Sequence, residues 1–117
     1  MSNQMTEMLK GTLEGIVLAI LSARPAYGYE ITAELRKQGF SEIAEGTVYA
    51  LLVRTEQRGL ADVKRVSSEK GPPRKVYSLN RKGRDQLSEF WKTWNFLEER
   101  IDSLREAAEV PPNEGEQ

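Results

Sequence analysis

The sequence predicts a mainly α-helical chain with one small β-hairpin: a winged helix-turn-helix domain followed by a long C-terminal dimerisation helix. Three observations carry this. Three segments with helical apolar spacing come first, each bounded by glycine or proline. Two alternating stretches then flank a stiff basic turn within EKGPPRKVY (69–77). Last comes a helix whose apolar residues hold a heptad seam for three repeats.

In the first segment Leu9, Leu13, Ile16, Val17, Ile20 and Leu21 share one helical face, predicting a well-buried helix over about residues 5–22. SARPAYGYE stops it, because Pro25 biases Arg24 away from helical angles and Gly28 stands at the next helix start. A second helix turns Ile31 and Leu35 inward and ends near Gly39. A third runs from about residue 45 to 58 with Val48, Leu51 and Leu52 as its stripe, and Gly59 caps its C-terminus. The connection between these two, QGFSEIAE, is a little long for a tight helix-turn-helix.

Alternation over 61–66 places Ala61 and Val63 on one face and Asp62 and Lys64 on the other. In the following strand Tyr77 and Leu79 share a face, and Lys75 continues it beyond the core. The turn spans about 67–73. Pro72 and Pro73 keep it from pairing with another sheet edge, while Lys70, Arg74 and Lys75 give it positive charge. A basic hairpin on a three-helix body is a wing.

Leu87, Phe90, Trp94, Leu97, Ile101, Leu104 and Ala108 are spaced alternately three and four apart, about 33 Å of helix at 1.5 Å per residue. A helix lying on its own core usually shows a wider stripe. The narrow seam therefore predicts packing against another helix, for which a second copy of the chain is the source expected and the chain's own first helix the alternative. The organisation expected is a winged domain over 1–80, the dimerisation helix over 81–109 and a disordered tail over 110–117.

Composition removes whole classes of chemistry. The 117 residues contain no cysteine and no histidine, so disulfides, thiolate metal sites and the commonest general base are unavailable. No acid–base pair stands out, so no enzyme is expected. The apolar run at 16–21 is too short for a membrane span and no export signal is evident, which places the chain in the cytoplasm. Net charge is only −1, yet it is segregated. Residues 46–84 hold ten basic and three acidic side chains, against seven and fifteen elsewhere. Such a module focuses attraction for a polyanion on one face.

The motifs YGYEI (27–31), EGTVYALL (45–52), EQRGL (56–60), GPPRKVYSL (71–79) and KGRDQL (82–87), followed by a tryptophan, resemble the PadR family of transcriptional regulators. The likeness runs over about residues 9–94 in order and spacing, and the length fits the short form with a single C-terminal helix. It implies a homodimer that binds a palindromic operator in double-stranded DNA. It further implies a repressor, released by a small aromatic or phenolic effector or another signal at the dimer interface, without a cofactor. The sequence departs from the family pattern at Thr55, usually leucine, at Ala61, often isoleucine, and at Asn80, usually threonine.

The resemblance marks Gly46, Thr47 and Tyr49, at the start of the third helix, as DNA-facing. Structural alternatives are a capping role for Thr47 and a part-buried one for Tyr49. Arg54 reaches either a phosphate or an acid on its own helix. In the wing Lys70, Gly71, Arg74 and Lys75 are candidates for backbone contact, and Lys10 for a further phosphate. The dimer seam is assigned to Leu87, Phe90, Trp94, Leu97, Ile101 and Leu104. Trp94 either stacks a flat ligand between subunits, with Glu98 one turn later supplying negative charge, or packs as an ordinary interface residue. Trp91, off the seam, is expected to be buried against the first helix. The rival reading is a winged-helix module that docks on protein without specific DNA binding.

Overall fold

The apolar faces read from the sequence meet in one small core, built by helices α1 (Asn3–Ala23), α2 (Gly28–Lys37) and α3 (Glu45–Gln57). The computed structural model describes residues 3–109, so the tail expected at 110–117 lies outside the described residues. Strands β1 (Ala26–Tyr27), β2 (Ala61–Val66) and β3 (Arg74–Leu79) form an antiparallel sheet, and α4 (Arg81–Glu109) completes the chain. Two compact units divide after Leu87. The winged-helix unit thus includes the first two turns of α4.

The core consists of Val17, Leu18 and Leu21 from α1, Ile31 and Leu35 from α2, and Val48, Leu51 and Leu52 from α3. Leu60, Ala61, Tyr77 and Leu79 close it from the sheet side. The buried arc of α1 is rotated from the one its spacing predicts. Leu18 is buried, while Leu13, Ile16 and Ile20 stay half-buried, because α1 packs against both α2 and β3.

The hairpin register pairs Ala61 with Leu79, Val63 with Tyr77 and Arg65 with Lys75, so the face predicted by alternation is the core face. The sheet also has a third strand. β1 pairs with β3 through Ala26–Tyr77 and Tyr27–Val76, giving the order β1-β3-β2. Two residues are too few to show a period of two, so only the pairing itself defines this strand.

Turn chemistry closes the elements as expected. Gly59 has a φ of +74° beyond the last turn of α3, and Leu60 N–H donates to the Thr55 carbonyl at 3.0 Å. Thr55, although fully buried, donates its hydroxyl to the Leu51 carbonyl at 2.8 Å, so no polar atom is stranded where leucine is usual. Asn80 caps α4: its Oδ1 accepts from Gly83 N–H at 2.9 Å. Its Nδ2 donates to the Gly59 carbonyl and the Asp62 carboxylate, a tie between the turn after α3, β2 and α4 that a threonine hydroxyl cannot duplicate.

Gly83 lies where α4 crosses this junction. A Cβ there would sit 2.1 Å from the Leu60 carbonyl oxygen and 2.5 Å from Leu79 Cδ1. Gly83→Ala should therefore destabilise the protein by about 1–3 kcal/mol, as overpacking against fixed backbone does. Thermal unfolding followed by circular dichroism should show the lowered midpoint, and an unchanged midpoint would mean α4 can shift freely.

Two expectations for α4 are corrected. Leu87, at the head of the predicted seam, is buried in the winged-helix unit and spends its apolar surface on that core. Trp91 is 44% exposed rather than buried, because it lies beyond Leu87, the last buried residue of the helix. From Ser88 onward the helix leaves Trp94, Leu97, Ile101 and Leu104 exposed, with Phe90 half-buried against Trp91 at a ring distance of 5.3 Å. No helix of the described residues is long and apolar enough to cross a membrane.

Candidate nucleic-acid interface

The inward residues of α3 are Val48, Leu51, Leu52 and Thr55. At 100° per residue they leave Gly46, Ala50, Val53 and Gln57 at the centre of the outward face. Thr47 and Arg54 fall on the edge toward α1, and Tyr49 and Glu56 on the edge toward β3. A cleft flanks the helix on each side. One, of about 480 Å³, is lined by Lys10 and Glu14 of α1 and by Gly46, Thr47, Ala50 and Arg54 of α3. The other, of about 800 Å³, is lined by Tyr27, Gly28 and Tyr29, by Tyr49 and Val53, and by Pro73, Arg74, Lys75 and Tyr77. Between them α3 stands as a ridge.

The start of this ridge is open. Ala44 occupies the N-cap position with no side-chain hydrogen bond, so Thr47 is not the cap, and it is exposed. A Cβ at Gly46 would meet nothing within 4 Å, so packing inside the chain does not require glycine there. Tyr49 is 42% exposed and packs against Gly28, whose missing Cβ would otherwise sit 2.3 Å from the ring's Cε1. Both candidates thus reach solvent on the ridge.

The cations around the ridge differ in what holds them. Lys10 bonds Glu7 at 2.7 Å, an exposed pair of little net strength. Arg54 has no ion pair with any described residue, whereas Arg58 is committed to Glu14 of α1. In the wing Lys70 and Gly71 are exposed, with Gly71 at a φ of +107° in the turn. Arg74 lies over the Tyr29 ring at 5.6 Å, and Tyr29 stacks in turn on Tyr27.

Besides Glu69 next to Lys70 in the turn, one more acid reaches the wing, at Lys75. Its ammonium lies 3.2 Å from the Glu56 carboxylate, because β3 brings it beside the last turn of α3. Burial, and then Glu56, hold the Tyr77 phenol above its ordinary pKa, so it stays a neutral hydroxyl. Sequence reasoning missed Arg65, exposed and directly across the ladder from Lys75. It also missed Tyr29, Ala50 and Val53. Alternation along β2 signals Arg65, and helical angle alone signals Ala50 and Val53.

A ridge flanked by clefts and separate cations can enter a groove and meet a polyanionic backbone on both sides. Among the described residues no cluster of acidic groups is arranged to hold a metal.

Residues 17–89 match the model of the transcriptional regulator PadR-like family. An uncharacterised protein of Lysinibacillus sphaericus is 31% identical over 106 residues, covering 89% of this chain and 97% of that protein. The crystal structure of a PadR-like transcriptional regulator from Bacillus cereus is similar at 40% identity and a TM-score of 0.74, over 84% of this chain and 95% of that one. A PadR family transcriptional regulator from Eggerthella lenta shares 30% identity with a TM-score of 0.77, over 92% of this chain and 91% of its own.

Proposed function

From the premise that the chain belongs to the PadR-like family of transcriptional regulators, which are not enzymes, we propose that it acts as a homodimeric repressor that binds a palindromic operator. The observation that carries this is the α3 ridge with its open N-terminal turn, set between two cation-bearing clefts. Each protomer lays α3 in a major groove, where Thr47 and Tyr49 at its start meet base edges or phosphate. Lys10 and Arg54 hold the backbone on one side, and Lys70, Gly71 and Arg74 of the wing hold it on the other. Lys75, engaged by Glu56, braces the wing against α3 and adds to the positive field.

Pairing of the two copies runs along Phe90, Trp94, Leu97, Ile101 and Leu104 of α4, all wholly or partly exposed in the single chain. An aromatic effector stacked on Trp94, with Glu98 nearby for a cationic ligand, would favour one spacing of the two recognition helices over another. The chain works in the cytoplasm, beside the DNA it controls.

Fluorescence anisotropy with the duplex upstream of the protein's own gene, at two salt concentrations, tests the reading. Expected is tight binding whose logarithm falls by about 0.9 per phosphate contact for each tenfold rise in salt. Affinity no greater than for an unrelated duplex at both salts would favour a winged module that docks on protein.

A further inference from the structure

The middle of the exposed α3 face offers almost no hydrogen-bonding side chain. From its first turn to its third, the outward arc holds Gly46, Ala50 and Val53, while the polar ends of Thr47, Arg54 and Tyr49 are displaced to the two edges. Val53 is 41% exposed. A β-branched residue is a mediocre helix former, and on an exposed face it contributes nothing to the core. Within the winged-helix unit it lines the cleft that holds Tyr49 and Arg74.

What could an apolar side chain at this place recognise? Arg54 on one flank and Arg74 on the other set a polyanion across it. The major groove of DNA presents a single apolar group to such a helix, the 5-methyl of thymine. Guanine and adenine are read by paired donors and acceptors on Arg, Lys, Asn or Gln. On the central arc only Gln57 is of that kind, and it lies in the last turn, whereas a recognition helix reads mainly with its N-terminal part.

Resting on the DNA-binding reading above, we infer that Val53 is a specificity-determining residue that reads thymine through its 5-methyl group. The absence of a longer side chain at Ala50 and of any at Gly46 leaves room for the base edges to come within contact of Val53.

The test uses the full chain and a duplex enriched by it from a randomised library. Each thymine is replaced singly by deoxyuridine, which removes the methyl and nothing else. One or two thymines per half-site should show weakening of about fourfold, the equivalent of one CH₂ withdrawn from apolar contact. In Val53→Ala that uracil sensitivity should vanish at one position and persist at the others. Alanine is the better helix former at an exposed site, so the variant folds, and a purely structural role for Val53 would not move the uracil response. Tight binding with no sensitive thymine, or a pattern of sensitivity unchanged in Val53→Ala, overturns the inference and leaves DNA recognition standing. Failure to enrich any duplex over the starting library overturns both.

Discussion

Ile101→Asp should turn the protein into a monomer and weaken binding to an operator with two half-sites by roughly 100-fold or more, the loss expected when two linked contacts become one. Ile101 is 57% exposed in the single chain, with Leu97 and Leu104 exposed one turn on either side. Heptad spacing of that kind is stable in water only when another helix covers it. An aspartate placed in the covered seam would lose its hydration without a partner, at a cost of several kcal/mol. The same substitution in an isolated chain touches no core, so the winged-helix unit should keep its circular dichroism and its affinity for a single half-site. Sedimentation read beside anisotropy separates assembly from folding. A variant that still sediments as a dimer, or a wild type that is monomeric at tens of micromolar, would remove the seam from the account.

Neutralising the wing with Lys70→Ala and Arg74→Ala should weaken operator binding on the order of 10- to 100-fold near physiological salt, similarly across sequences. The slope of log affinity against log salt should flatten by about 0.9 for each phosphate released, hence by three to four units over four contacts in the dimer. This pair is more informative than one including Lys75. Removing Lys75 also frees the Glu56 carboxylate 3.2 Å away, and the new negative charge would weaken DNA binding whether or not Lys75 touches phosphate. Arg74, by contrast, rests on a neutral ring, so its loss leaves no charge behind. An unchanged salt slope would mean that the wing stays off the backbone.

Much of the fold was legible because its signals are local. Apolar spacing of three and four, glycine after the third helix, alternation on either side of a proline-rich turn and an asparagine cap each occupy fewer than a dozen residues. The helices, the glycine after the third helix and the hairpin register stand in the structure as read, while the buried arc of α1 is rotated and Leu87 lies in the core. The candidate site was legible in kind more than in detail. Thr47, Tyr49 and Arg54 lie on one exposed ridge, but the centre of that ridge belongs to residues with no charge or hydroxyl to draw attention, Ala50 and Val53.

By itself the sequence determined which segments are helix or strand, which faces are apolar and that positive charge gathers between residues 46 and 84. Only the tertiary structure decided which partner each face takes. It rotated the buried arc of α1 between α2 and β3, and recruited two residues after Pro25 as a third strand on β3. It drew Leu87 out of the seam into the core, set Glu56 against Lys75 and made Asn80 join β2, α4 and the turn after α3. Each of these joins residues through the packing of separate elements. Periodicity tells how a segment meets its surroundings, whereas a contact between segments depends on where the chain has carried both.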